Sequence, residues 1–129
     1  MRAITQHALG GPEVLTEVEV DRPKPGAVEV LVRVHAAGVN SADWEARANG
    51  WGGSVPRILG FDVSGVVEAV GFGVTLYRPG DEVFGMPHFP RMPGGYAEYV
   101  AAPPRHLARK PAGIDHVQAA ALPQAGLTA

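Results

Sequence analysis

The sequence has no cysteine at all, which excludes disulfides, thiolate nucleophiles and Cys-ligated zinc together. It is also poor in charge of either sign: 11 basic residues stand against 13 acidic ones, giving a formal net charge of −2. No block of like charge appears, so a phosphate backbone or an anionic membrane surface is a poor match. No run approaches the roughly 18 apolar residues of a membrane span, and the opening MRAITQHALG has one arginine but no sustained apolar stretch. A cytoplasmic protein is the expectation, with a small, nearly neutral ligand and neither nucleic acid nor membrane as partner.

What the sequence has in excess is glycine (17) and proline (12) among 129 residues. Such a sum raises the question of disorder, but 46% hydrophobic content and regular spacing answer it. Gly and Pro fall between stretches of alternating apolar residues, the pattern of short strands joined by tight turns. The length suits one domain with one core.

RAITQHAL and VLTEVEVDRP alternate with period two, and PKPG at 23–26 closes that region. AVEVLVRVHAAGV is the strongest strand signal, with Val28, Val30, Val32 and Val34 on one face and Glu29, Arg33 and His35 on the other. Asn40 and Ser41 are suitable N-caps, Asp43 suits a first helical turn, and SADWEARAN ending at Gly50 reads as a short helix. WGGSVPRILG is a loop. FDVSGVVEAVG begins a second long strand, in which Gly65 marks a bulge or a close backbone approach. RPGDEVFG is a turn feeding a strand, MPHFPRMPGG an irregular surface loop, and GYAEYVAAP and HLARKP further extended pieces. Asp115 with Gln118 forms a capping-box pattern for a last helix, which Pro123 should end.

The segments AAGVNSADWEARANG, ILGFDVSGVVEAVGFGV, RPGDEVFG, GGYAEYVAAP and AALPQAGLTA follow one another in an order that resembles a known family. It is the N-terminal, GroES-like domain of medium-chain dehydrogenases/reductases, and the nearest likeness is to the zinc-free, zeta-crystallin-like quinone oxidoreductase branch. The resemblance covers residues 1–129 and implies a mainly β (α+β) fold: a partly open β-barrel with one short internal helix and a C-terminal helix. In the full family architecture this barrel packs against a Rossmann nucleotide-binding domain. Within these residues a Rossmann site is not expected: GFGVTL at 71–76 has Leu76 where a third glycine should stand and reads as a turn. The chain is thus expected to be a separated substrate-side domain.

In the zinc-dependent relatives a cysteine and a histidine occupy the positions held here by Asn40 and Phe61. An aromatic hydrocarbon offers zinc no donor, and His7, His35, His88, His106 and His116 show no paired ligand spacing. No metal is expected. A site without a Lewis acid needs a substrate that spreads the incoming charge, as quinones and α,β-unsaturated carbonyls do. The resemblance implies NADPH as hydride source, with Asn40 bonding the nicotinamide ribose or the reacting carbonyl; the same side chain equally serves as a plain helix cap. Asp43 and Arg47 match the family's NxxDxxxR pattern, and their (i, i+4) spacing favours an ion pair. Asp43 is the second catalytic candidate, while Phe61, Gln124 and Thr128 join Asn40 as cofactor-contact candidates, with Asp62 bonded to backbone. Trp44 and Trp51 either line the substrate pocket or belong to the core. Glu45 stands where relatives often carry a tyrosine. Two rival expectations remain: a standalone module that self-associates through its apolar last helix, VQAAAL, and a fragment of a zinc alcohol dehydrogenase.

Overall fold

The computed structural model describes residues 1–88, 92 and 94–129. The expected surface loop at 86–95 therefore falls partly outside the described residues. Among the described residues eight strands form two antiparallel sheets. In the smaller, β1 (Arg2–Gln6) lies between β2 (Leu15–Glu19) and β4 (Arg57–Ile58). The larger contains β3 (Val30–Gly38), β5 (Asp62–Val70), β6 (Glu82–Gly85), β7 (Tyr99–Ala102) and β8 (Leu107–Arg109), in the order β7-β3-β5-β6-β8. An Ala3–Ala97 bridge and an Ile4 N–H to Tyr96 carbonyl bond of 2.8 Å tie the two sheets together without closing them. The fold is mainly β and partly open.

The core follows from the alternation in β3 and β5. Val30, Val32, Val63, Val67, Val83, Val100 and Leu107 bury their side chains together, and Tyr77 joins them by donating its hydroxyl to the Leu107 carbonyl at 2.9 Å. Each such aliphatic side chain contributes about 1.5–3 kcal/mol on burial. Val28 departs from the expected face. It is exposed and sits in a turn with φ of 58°, because the strand starts only at Val30.

At Gly65 the expected irregularity is present. The β3–β5 register slips between Val34 and Ala36, opposite Gly65 and Ser64, and a Cβ on Gly65 would run into the Arg33 carbonyl. Hydrogen is the only substituent the gap admits.

The helices start and stop where their caps dictate. α1 (Ser41–Asn49) ends on Gly50, which adopts the left-handed conformation (φ 82°) and gives its N–H to the Ala46 carbonyl at 2.8 Å. α2 (His116–Ala120) is opened by the reciprocal Asp115–Gln118 box, with bonds of 2.7 and 3.0 Å. Pro123 does more than end this helix: it is the first residue of α3 (Pro123–Thr128). Its missing N–H and fixed φ suit a first helical position, so the expected single C-terminal helix is two short ones. His116 docks α2 on the large sheet, its Nδ1 2.7 Å from the Ser64 hydroxyl and its ring 4.5 Å from that of His35. Among the described residues no helix is long and apolar enough to cross a membrane.

Replacing Gly65 with Ala should cost about 1–3 kcal/mol by forcing apart the two longest strands. Gly113→Ala, in open space, should stay within about 0.5 kcal/mol; equal urea midpoints for the two variants would refute the close-approach account.

Candidate functional site

β3 hands the chain to α1 through Asn40, whose extended backbone (φ −122°, ψ 163°) sets up the helix start. The Asn40 N–H donates to Asp43 Oδ2 at 2.9 Å, the short-range half of the cap. Its side chain reaches further, donating from Nδ2 to Asp62 Oδ2 at 2.8 Å. Asp62 is the buried first residue of β5, and its other oxygen accepts the Gln124 N–H at 3.1 Å from the start of α3. One carboxylate thus joins three segments far apart in sequence. Next to it Phe61 is completely buried, and the Trp51 ring stacks over it with centroids 5.5 Å apart and planes 20° from parallel.

The electrostatics are those of acids held out of water. Burial pushes the Asp43 carboxyl up, opposed by bonds from the Asn40 and Phe61 backbone. Burial also raises Asp62, the bonds from Asn40 and Gln124 oppose the shift, and the Asp43 charge adds to it. Asp43 Oδ1 is buried with no hydrogen-bond partner. Tyr96 is half-buried beside this pair, its hydroxyl aimed at the Gly38 carbonyl over a long 3.5 Å. Burial first, then the Asp43 and Asp62 charges, push its phenol far above the ordinary range, which keeps it a neutral O–H.

The structure brings together Asn40, Asp43, Phe61, Asp62 and Gln124. Gln124 also presents a buried Oε1 with no hydrogen-bond partner. Thr128 is exposed, and its hydroxyl donates to the Gln124 carbonyl at 2.7 Å within α3. The expected Asp43–Arg47 ion pair is not formed. Arg47 Nε instead donates to the Gly10 carbonyl at 3.1 Å, since the loop before β2 crosses the helix within its reach.

The tryptophans are not core residues: Trp44 is 50% and Trp51 39% exposed. Trp44 faces a cavity of about 150 Å³ with Val39, Asp43, Leu59 and Tyr96, while Trp51 covers Phe61, so the two do not share one lining. The histidines take ordinary partners: His7 the Thr16 hydroxyl, His116 that of Ser64, and His106 the His88 amide N–H. Among the described residues no three His, Asp or Glu side chains are grouped as a metal cage.

Two residues escaped the sequence reading. Tyr96 lies 53 positions from Asp43 and is brought to it by the inter-sheet bridge at Ala97. Its only local sign is the preceding glycine pair. Arg57 bonds to carbonyls, which leave no trace in a side-chain pattern.

Comparison with known proteins agrees with this architecture. The alcohol dehydrogenase GroES-like domain family matches residues 26–112. The chain belongs to that family. It is 38% identical over 125 residues to a quinone oxidoreductase of Rattus norvegicus, covering 95% of this chain and 37% of that one. The Coxiella burnetii quinone oxidoreductase structure superimposes with a TM-score of 0.91 at 37% identity, over 99% of this chain and 42% of that one. The Escherichia coli quinone oxidoreductase, solved with NADPH, gives the same TM-score at 34% identity over 99% and 39%. The chain therefore spans well under half the length of these relatives, as the N-terminal GroES-like portion of the medium-chain dehydrogenase/reductase pattern.

Asn40→Ala should cost about 1–3 kcal/mol by leaving Asp62 Oδ2 without its donor. Asn40→Asp should cost more at pH 7, because a half-buried carboxylate then faces the buried one of Asp62. The pair's raised pKa makes the penalty absent below the ordinary aspartate range and complete above the raised value, so the excess cost must shrink from pH 7 toward pH 4. Unfolding curves across that range check it, and a pH-independent difference would sink the charge argument.

Proposed function

We propose that this domain forms the substrate-side wall of an NADPH-dependent, zinc-independent oxidoreductase that reduces quinones or α,β-unsaturated carbonyls. The observation that carries the reading is the Asn40–Asp62 hydrogen bond beside buried Phe61. Where zinc-binding relatives place thiolate and imidazole, there stand a neutral amide and a hydrocarbon. Asp62 could still supply one carboxylate oxygen, but one such donor falls short of the three protein ligands of a catalytic zinc.

The residues fit a nicotinamide. Its carboxamide offers an N–H, and the buried Gln124 Oε1 is an acceptor with no hydrogen-bond partner in the protein. When bound, the reduced cofactor supplies the hydride. Asn40 is oriented by Asp62, which takes one N–H of the amide and leaves the second for the ribose or the substrate carbonyl. That donor would stabilise the oxygen on which charge develops. Asp43, its pKa pushed up by burial, can hold a proton closer to neutrality than an exposed aspartate can. Phe61 keeps water from the reacting face, and Trp51, stacked on it, supplies an apolar wall, while Trp44 bounds the separate cavity beside Asp43. Thr128 is a weaker cofactor contact, its hydroxyl already donated. A second reading, a self-associating module, is favoured by exposed Val117, Leu122 and Leu127 on and between α2 and α3.

Residues 1–129 produced by themselves should show no tight NADPH binding and no enone or quinone reduction; a micromolar dissociation constant or steady NADPH oxidation would contradict this. Reduced nicotinamide mononucleotide at millimolar concentration should shift the amide resonances of Asn40, Phe61 and Gln124 in the wild type and not in Asn40→Ala. Shifts confined to other residues would overturn the site assignment. In sedimentation a concentration-independent monomer favours the catalytic wall, and a defined oligomer that Leu127→Lys dissolves favours the module.

A further inference from the structure

Arg57 has no carboxylate partner among the ion pairs of the described residues, yet its guanidinium makes four hydrogen bonds. Nη1 donates to the Trp51 carbonyl at 2.7 Å and the Gly53 carbonyl at 3.0 Å, Nη2 to the Ala46 carbonyl at 2.7 Å, and Nε to Gln6 Oε1 at 3.2 Å. Three of the four acceptors are backbone oxygens around the end of α1 and the loop that follows it. Ala46 O lies in the last turn of the helix, where a cation is electrostatically favoured.

The base of this clamp is tied to the small sheet. Arg57 belongs to β4, paired with β1 through Gln6, and its own carbonyl accepts the Thr5 hydroxyl at 2.9 Å. Gln6 is fully buried and also donates from Nε2 to the Ala8 carbonyl at 2.8 Å and to the Arg47 carbonyl. The loop held by the clamp, residues 51–54, has no strand or helix of its own. Its aromatic ring is nevertheless stacked on Phe61.

We infer that Arg57 is the positioning residue for Trp51: it fastens the loop backbone to the β1–β4 sheet and so sets the indole over Phe61. The planar fork is what the task needs, since a single ammonium cannot meet carbonyls on both sides of the loop and the helix end. The role of Trp51 as a wall of the reduction site rests on the function proposed above; the clamp itself does not, and its test uses no substrate.

Two single-tryptophan backgrounds, Trp44→Phe and Trp51→Phe, separate the signals. In the first, Arg57→Gln should raise the acrylamide quenching constant of Trp51 about threefold, and Arg57→Lys by an intermediate factor, as the loop gains freedom. In the second, Trp44 quenching should change by less than about 1.3-fold, because the cavity that ring lines includes neither Arg57 nor residues 51–54. An unchanged Trp51 constant in folded Arg57→Gln overturns the inference, and so does a parallel rise at both tryptophans, which would mean general loosening. If Arg57→Gln does not fold, Arg57→Lys decides alone by the same two readings.

Discussion

A buried carboxylate receiving bonds from two distant segments is the constraint on which the site depends. Asp62 accepts from the Asn40 amide and the Gln124 backbone, and neither donor is charged. Neutral donors only partly offset the loss of water, so its pKa stays raised despite both bonds. The arrangement tolerates this because removing either donor leaves a worse state, a buried charge with fewer partners. Stability is thereby exchanged for a fixed geometry in which Asn40 has one orientation.

Phe61 completes that exchange. Its ring fills space against Trp51 where a polar side chain would bring a further group needing satisfaction. The same burial that raises Asp43 and Asp62 also raises the Tyr96 phenol, to which the two carboxylate charges add.

Elements whose signals are local were legible. The α1 start at Asn40 and stop at Gly50, the Asp115–Gln118 box, the turn at 71–76 and the irregularity at Gly65 each depend on residues within a few positions or on a backbone approach that only glycine permits. The fold itself came from five motifs in order, which is family resemblance and not periodicity. What escaped was set by distance or by competition. Asp43 and Arg47 have helical spacing, but a carbonyl at Gly10 lay closer to hand for the arginine, and a buried carboxylate does not turn outward to meet it. Pro123 carries two opposite signals, stop and start, and only packing against the sheet decides that a helix resumes. Tyr96 and Arg57 act across 53 and 11 positions, through an inter-sheet bridge and through carbonyls, neither of which leaves a residue-type pattern.

The site is also coupled to the docking of the C-terminal helices. Gln124 gives Asp62 a backbone N–H, available only because Leu122 and Pro123 start a helix whose first amides lack intrahelical acceptors. α3 is short, and an isolated helix of this length does not persist in water. It is held where it packs on β5 and β6, directly after α2, which has a satisfied cap at Asp115 and a side-chain anchor from His116 to Ser64, two residues beyond Asp62 on β5. Burial, then the charge of His35, lowers the His116 pKa, so this anchor contributes fully above the ordinary histidine range and weakens as pH falls through the lowered value. Loosening the α2–α3 segment would withdraw the Gln124 amide and leave Asp62 with the Asn40 bond alone. Helix docking and site polarity are therefore one equilibrium, and ligand contact with Gln124 or Asn40 must bias it toward the docked state by whatever affinity it gains there.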